Sequence, residues 1–386
     1  MSSSTHEILI LGGHHAGVNI AHYLLRHVLP KLTKLNSTTY HITLVTPNVE
    51  FYWNIAAPRL LVSSTLIPES KVFLPIASAF SSYSAEQFTL VQAKASGINA
   101  ENKSVALSNG QAVTYASLVI ATGSSYVSPL WALNDDEGSL KRQLEATRTA
   151  LASAKSVLIA GGGAIGVETA GEVGAQYRGL ETTILSGNTR LLPNLLASNS
   201  KSAEAKLKAL GVNVDHDLKV SSTSVQGTGG QTTVTLSDGS SRSVDVFIDA
   251  TGGKPNSQFL PREWLSESNH VVTDAKTCRT PISGVYAIGD VASYSSGSVM
   301  DAQNAVAPLG TSIGIDLAGD KGKSIFKQKD FKGMGATQFV PTGPGGGVGQ
   351  VFGWKVPSLA VWAGKSRGYL VWMAKGAVEG DNFKKA

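Results

Sequence analysis

Two glycine-rich turns, Gly12-Gly13-His14-His15-Ala16-Gly17 and Gly161-Gly162-Gly163-Ala164-Ile165-Gly166, are the residues best placed to do chemistry. Each follows a short apolar run, Ile8–Leu11 or Val157–Ala160, and opens a stretch of small residues that reads as a helix. A strand, a tight turn and a helix start in that order aim free backbone N–H groups and the positive end of a helix dipole at a pyrophosphate. Each turn has a matching later signal. Ser108-Asn109-Gly110 precedes Ala121-Thr122-Gly123, and Ser237-Asp238-Gly239 precedes Ala250-Thr251-Gly252 at the same spacing. The chain is therefore read as an internal duplication carrying two dinucleotide sites.

Within the first turn, Gly12 permits the bend, Gly17 lets the helix pack close to the strand, and Ala16 stands at the helix start. His14 occupies the position usually kept as glycine for close phosphate approach, with Gly13 beside it to give clearance. Its imidazole either turns away from the phosphates or assists them. The acidic residue expected at the end of the second strand to hold the adenosine ribose is replaced by Thr46, whose hydroxyl can still form a weaker bond. In the second turn all three fingerprint glycines stand, as Gly161, Gly163 and Gly166. Here the second strand ends in Ser186, followed by Asn188 and Arg190. Loss of the carboxylate removes the repulsion that excludes a 2′-phosphate, and Arg190 could pair with one, so NADH and NADPH both remain open.

The elements that position these residues follow from periodicity. Strand Ile8–Leu11, a helix from Ala16 to about Leu29 and strand His41–Val45 form a βαβ unit. Alternation near Phe88–Ile98, Ser104–Leu107 and Val113–Tyr115 predicts a β-meander leading into strand Leu118–Ala121. The second half repeats the order with strand Ser156–Ala160, helix Gly166–Gln176 and strand Thr182–Leu185. A meander turning at Gly227-Thr228-Gly229-Gly230 and Asp238-Gly239 follows, then strand Asp245–Asp249. A third segment, Gly284–Asp290, reads as a strand and an acidic Gly289-Asp290 turn before a helix from about Asp301 to Ala318, and belongs spatially to the first domain. From about Phe331 the chain becomes glycine-rich and aromatic, with Trp354, Trp362 and Trp372 among its six tryptophans. The predicted fold class is α/β: two Rossmann-like dinucleotide-binding domains, one of them discontinuous, each with a β-meander, plus a C-terminal α+β module. The boundaries read 1–125 and 251–325 for the first domain, 126–250 for the second and 326–386 for the module.

Composition agrees with a globular α/β chain of two or three domains: 386 residues, 42% apolar and 16% charged. The net charge of +5 comes from scattered Lys and Arg without a basic tail, so no nucleic-acid partner is expected. The eight histidines are dispersed and suggest no metal site. Cys278 is the only cysteine, so no internal disulfide can form and a reducing, cytoplasmic setting is expected. The N-terminus lacks the pattern of a secretion signal or presequence. The Trp-rich tail, with Lys355, Lys365, Arg367 and Lys375, fits an amphipathic surface on a membrane, packing over the first domain, or a homodimer interface.

The motif order, ending in Ala250-Thr251-Gly252-Gly253-Lys254-Pro255-Asn256 and Ala287-Ile288-Gly289-Asp290, resembles the two-dinucleotide-binding-domain flavoproteins. Within them the chain looks like the apoptosis-inducing factor 2 (AMID, or ferroptosis suppressor) branch of NAD(P)H:quinone oxidoreductases, relatives of the type II NADH dehydrogenases. Its tail, Gly346-Gly347-Val348-Gly349-Gln350 and Lys365-Ser366-Arg367, looks like that branch's C-terminal module. The resemblance implies FAD in the first site, NADH or NADPH in the second and a quinone-like acceptor, with a mitochondrial or lipid-droplet surface as an alternative location. It implies that Phe51–Arg59 passes beside the isoalloxazine, where Arg59 would stabilise reduced flavin or orient an acceptor, a surface salt bridge being the plainer role. Asp290 would accept from the FAD ribityl chain, with the following helix aiming its positive end at the flavin pyrimidine. Glu168 would lie at the nicotinamide end, and Ala121, Thr122, Gly123, Thr251, Gly252 and Gly289 would line the cofactor sites.

The expected reaction takes hydride from the nicotinamide to the flavin and on to the acceptor, by positioning rather than by a dedicated acid, since water can supply protons. Without a Cys-x-x-Cys pair, no thiol relay is available. Two alternatives stand beside it: a tailoring oxidoreductase of a secondary-metabolite pathway, and an NAD(P)H-sensing redox flavoprotein in cell-death signalling.

Overall fold

The structure, a computed structural model, describes residues 5–35, 38–133, 138–225 and 230–385. The apolar run after the N-terminus forms β1 (Thr5–Leu11), whose last four residues are fully buried, as a strand covered on both faces requires. Helix α1 (His15–Tyr23) follows, runs through a π-helical turn at Leu24–Val28 and continues as α2 (Leu29–Leu35). The helix thus outlasts its predicted end near Leu29. Pro30 has no N–H to give the carbonyl four residues back, and the widened turn just before it absorbs that break.

Strand β2 (Thr39–Thr46) returns parallel to β1. The pair β3 (Glu50–Tyr52) and β4 (Phe73–Pro75) brackets α3 (Ala57–Val62), and α4 (Ile76–Ala79) leads into β5 (Phe88–Gln92). Here the expected meander is corrected. Phe88–Ile98 is not one strand: β5 joins the parallel sheet beside β2, and only β6 (Ala95–Asn99) forms the meander with β7 (Ser104–Leu107) and β8 (Ala112–Thr114). Ala93, whose N–H is taken by the Thr46 carbonyl, marks the break without any glycine or proline to announce it. Strand β9 (Ser117–Ile120) then pairs with β1 on its other side.

After β10 (Ser124–Ser125) and α5 (Ser139–Ser153), the pattern repeats with β11 (Ser156–Ala160), α6 (Ala164–Gln176) and β12 (Glu181–Leu185). Next come α7 (Ala197–Ala209) and β13 (Val212–Asp215), neither of them foreseen. Like β5, β13 extends the parallel sheet at its edge. The meander β14 (Val220–Val225), β15 (Thr232–Leu236) and β16 (Ser241–Val244) precedes β17 (Val246–Asp249). The predicted turn Gly227-Thr228-Gly229 lies outside the described residues.

Sheet order shows the duplication: β19 (Val285–Ala287)-β9-β1-β2-β5 in the first sheet, β17-β11-β12-β13 in the second. The two Ala-Thr-Gly segments meet, because β10 pairs antiparallel with β18 (Lys254–Pro255). Strand β19 (Val285–Ala287) comes from the third segment and closes the first sheet beside β9, and α8 (Val299–Leu317) packs on α1. Beyond α9 (Gly322–Ile325), the tail folds as an antiparallel sheet, β20 (Gln338–Pro341), β21 (Gly347–Val351) and β22 (Trp354–Lys355), with short helices α10 (Ser358–Val361) and α11 (Ala374–Val378).

This tail touches both dinucleotide units. A Cβ on Gly171 of α6 would collide with the Thr342-Gly343 backbone. On the other side, His22, Arg26 and His27 of the first helix donate to the carbonyls of Val378, Glu379, Gly380 and Phe383, capping the end of α11. Of the three tail tryptophans, Trp362 is half-buried while Trp354 and Trp372 are exposed. Among the described residues no helix is long and apolar enough to cross a membrane.

Candidate active site

A cavity of about 730 Å³ opens at the carboxyl ends of β1, β2 and β9, where an open parallel sheet reverses its strand order. The Gly12–His14 turn, Thr46, Glu50, Asn54, the Ala121–Gly123 turn and Asp290 are on its wall. Gly12 has φ of +114°, and a Cβ there would run into the Ala121 carbonyl; one on Gly17 would run into the Gly12 carbonyl. These two positions fold the turn and are closed to any side chain.

The second turn repeats the contacts of the first at its equivalent glycines. Gly161, with φ of +124°, abuts the Ala250 carbonyl, and Gly166 abuts the Gly161 carbonyl. Gly13 and Gly162 clear the side chains of Thr46 and Ser186 respectively, so Gly13 serves the strand end beneath it. Gly163 faces open space, as an approaching phosphate needs. At the equivalent place, His14 turns its ring aside: Nε2 donates to the Tyr52 carbonyl at 2.6 Å and the ring stacks on Phe51. Burial lowers its pKa, against the opposing hydrogen bond to the Tyr52 carbonyl. His15 is buried edge-on against Phe51 and Trp53, with the side chain of Asn54, a cavity-lining residue, as its polar neighbour. A cradle whose bend and helix start only glycine can form, opening on this cavity, fits a bound dinucleotide.

Thr46 and Ser186 play one role in the two halves. Thr46 Oγ1 donates to the Asn48 carbonyl at 3.0 Å, and Ser186 Oγ lies 3.0 Å from the carbonyls of both Asn188 and Arg190. Each hydroxyl proton holds the loop after its strand, so toward a ribose these residues can only accept. Asp290 stands on the cavity wall behind Gly289, whose φ of +80° lets the turn sit against Ala16 at the start of α1. Burial, with Asp301 nearby, raises its carboxyl pKa. Helix α8 starts at Val299 rather than Asp301, and Asp301 lies in its first turn accepting from Ser296 N and Oγ. The positive helix end is thus already partly neutralised from within the chain.

Arg59 and Glu168 are brought together in a buried charged cluster that lies off the cavity wall. Arg59 donates bidentately to Glu172, Nε to Oε2 at 2.9 Å and Nη2 to Oε1 at 2.7 Å, and its guanidinium lies over the Tyr369 ring. One helical turn earlier on α6, Glu168 Oε1 accepts from Lys365 Nζ at 2.5 Å. Burial raises the Glu168 carboxyl to about 7, outweighing the opposing pull of Lys365. Tyr369 donates its hydroxyl to Glu172, and Tyr369 and Leu370 both have left-handed backbones. Sequence reasoning found Arg59 and Glu168 but missed Glu172, whose signal was its place four residues after Glu168 on an otherwise small-residue helix.

Arg190 donates Nη2 to the Pro193 carbonyl at 2.6 Å. Thr122 Oγ1 donates to the Asn256 carbonyl, tying the two Ala-Thr-Gly segments together. Thr251 and Gly252 are exposed, with the Thr251 hydroxyl on Asp249. Lys141 holds Glu50 on the cavity wall, a pair that sequence spacing does not reveal. Cys278 is fully buried, and burial pushes its thiol up to about 12, so it is inert as a nucleophile.

Fold and site together define a flavoprotein reductase with two dinucleotide-binding domains. A profile of pyridine nucleotide-disulphide oxidoreductases matches residues 6–308, and the chain belongs to that family, whose cofactors are FAD and NAD(P)H. Over its whole length it is 33% identical to Oxidoreductase phnG of Penicillium herquei, covering 98% of that protein. It is 32% identical to Oxidoreductase ptaL of Pestalotiopsis fici over 92% of this chain and 94% of that one. Apoptosis-inducing factor 1 of Saccharomyces cerevisiae is 24% identical over 91% of each chain. Among solved structures, the ferredoxin reductase for the CYP199A2 system of Rhodopseudomonas palustris shares the fold, with a TM-score of 0.63, 21% identity and coverage of 85% of this chain and 78% of that one.

Proposed function

We propose that this chain is an FAD-dependent oxidoreductase that passes electrons from NAD(P)H to a quinone or a similarly flat, conjugated small acceptor. The observation that carries it is the pairing of two glycine cradles with a single, buried and inert cysteine: reducing equivalents enter at one site and have no dithiol by which to leave. When bound, FAD supplies the two-electron relay between coenzyme and acceptor. The Gly12–Gly17 cradle, Asn54 and Asp290 would hold it, and the Gly161–Gly166 cradle would hold the coenzyme. Full reduction of a quinone also takes up protons. We propose that the Glu168 carboxyl, whose Oε1 accepts from Lys365 Nζ and which burial raises to about 7, supplies one of them beside water. The tail motif and the yeast apoptosis-inducing factor likeness support placement near the apoptosis-inducing factor 2 branch. Full-length similarity to two fungal oxidoreductases favours a second reading, a tailoring enzyme with one preferred acceptor.

An acceptor panel with both coenzymes tests the proposal; turnover with no quinone-like compound contradicts it. The pH profile tests Glu168. Because its carboxyl titrates near 7, the protonated form is lost as pH rises through that value, and turnover should fall on the alkaline side. A Glu168→Gln variant should lower kcat by about 10²-fold and remove that limb. An unchanged profile would take the proton role away from Glu168.

A further inference from the structure

Helix α8 differs from the two helices that follow the glycine turns. Helices α1 and α6 carry no acid in their first turns, which leaves their positive ends bare for a phosphate, whereas α8 carries Asp301 there. We propose that Asp301, standing behind Asp290 at the flavin half of the cavity, is a fixed negative charge that makes bound flavin a weaker electron acceptor and, once reduced, a stronger donor. The inference rests on the reading of Gly12–Gly17 as the FAD cradle and adds a residue that tunes the electron transfer.

Topology decides which half of the dinucleotide meets these acids. A dinucleotide lies across the end of a parallel sheet with its pyrophosphate on the first glycine turn and its adenosine over the end of the second strand, here Thr46 of β2. Its other half then extends over the opposite side of β1, towards β9 and β19. Asp290 is on that side, just after β19 and half-buried on the cavity wall. Asp301 is the next carboxylate inward. It is only 4% exposed, and it lies close enough to Asp290 for its charge to oppose ionisation there.

Asp301 is fixed by neutral donors and has no counter-ion. Ser296 donates to its carboxylate from N at 3.0 Å and from Oγ at 2.5 Å, and the Ser298 hydroxyl accepts from the Asp301 N–H at 3.0 Å. Such bonds hold the carboxylate in place and leave its net charge standing. Among the described residues no lysine or arginine pairs with Asp301 or Asp290. Of the titratable groups that face the pair, Tyr126, Tyr294, Cys278 and His270, only His270 can become positive. The Tyr294 hydroxyl accepts from the Gly289 N–H at 2.9 Å and so fixes the turn that presents Asp290. A flavin that takes up two electrons and one proton gains a negative charge, and a like charge nearby in a poorly solvated site raises the cost of holding it.

The test is a dithionite titration of the FAD-loaded protein against a reference dye, together with sulfite binding, which places a negative charge on the flavin ring and so reads the same field. Asp301→Asn keeps the shape and removes the charge. Two-electron reduction should become about tenfold more favourable, a rise of about 30 mV, and sulfite should bind about tenfold tighter. Ser296→Ala removes hydrogen bonding but not the charge, and should move neither reading. Met300→Lys puts a cation on the exposed side of the same helix turn and should shift both readings in the same direction by about twofold to fivefold, which keeps a second arm should Asp301→Asn not fold. Unchanged or lowered values in Asp301→Asn, or in Met300→Lys where the first variant does not fold, overturn the role of Asp301. An equal shift in Ser296→Ala does the same. Because dithionite supplies the electrons, neither coenzyme nor acceptor enters these readings: absence of quinone turnover would overturn the reductase reading alone, whereas a protein that takes up no FAD overturns both.

Discussion

Replacing Gly17 by valine is expected to yield a colourless protein, whereas the same replacement at Gly166 should yield a yellow one that NAD(P)H no longer reduces. Both glycines pack against the carbonyl of the first glycine of their own turn, so a side chain at either forces helix and strand apart. The collision is with backbone, which cannot swing aside as a long side chain can. Loss of dinucleotide affinity should exceed about 10²-fold at the affected site, since the helix end and the free N–H groups move together. The two variants carry the same strain in equivalent places, and each is the other's control for general unfolding. Flavin absorbance of the purified proteins, with coenzyme binding by calorimetry, distinguishes them. Two colourless proteins, or two yellow proteins that NAD(P)H still reduces, would contradict the assignment of one dinucleotide to each half.

Breaking the Arg59–Glu172 pair should be the most destabilising single change outside those turns. Both side chains are nearly fully buried, and they exchange two short bonds between α3 and α6, far apart in sequence. Arg59→Met leaves the Glu172 carboxylate with only the Tyr369 hydroxyl and no cation, at a cost of about 3–5 kcal/mol. Replacing both partners by methionine removes the orphaned charge and should recover most of that loss. Denaturant midpoints of the two single variants and the double variant close the cycle. The comparison also bears on Arg59 itself: a residue acting on flavin or acceptor would lose turnover in the double variant, whereas a structural tie would regain it with stability.

The parts of this molecule legible in its sequence are those where backbone geometry admits one residue type. Gly12, Gly17, Gly161 and Gly166 each prevent a collision with a carbonyl oxygen, and they announce both the turns and the duplication. The two parallel edge strands were illegible for one shared reason. Half-buried β5 and β13 alternate like meander strands, and Ala93-Lys94 after β5 offers neither glycine nor proline to separate it from β6. Polar positions were legible in place but not in partner. Thr46 and Ser186 stand at the ends of the expected strands, yet their hydroxyl protons are spent inside their own loops. Arg59 stood out as a cation near the flavin segment, but its partner lies 113 residues away. Likewise Lys365 reaches Glu168 across 197 residues, a distance that no local pattern spans.

The proposed reaction takes electrons from NAD(P)H on one glycine cradle to FAD on the other and on to a small oxidant. Anaerobic titration of the purified yellow protein with NADH and NADPH, followed by one equivalent of a simple quinone, tests it most directly. The expected result is stoichiometric bleaching of the visible flavin band by coenzyme and its return on adding quinone. A protein that holds no flavin even after incubation with excess FAD, or whose flavin stays oxidised with both coenzymes, would contradict the account.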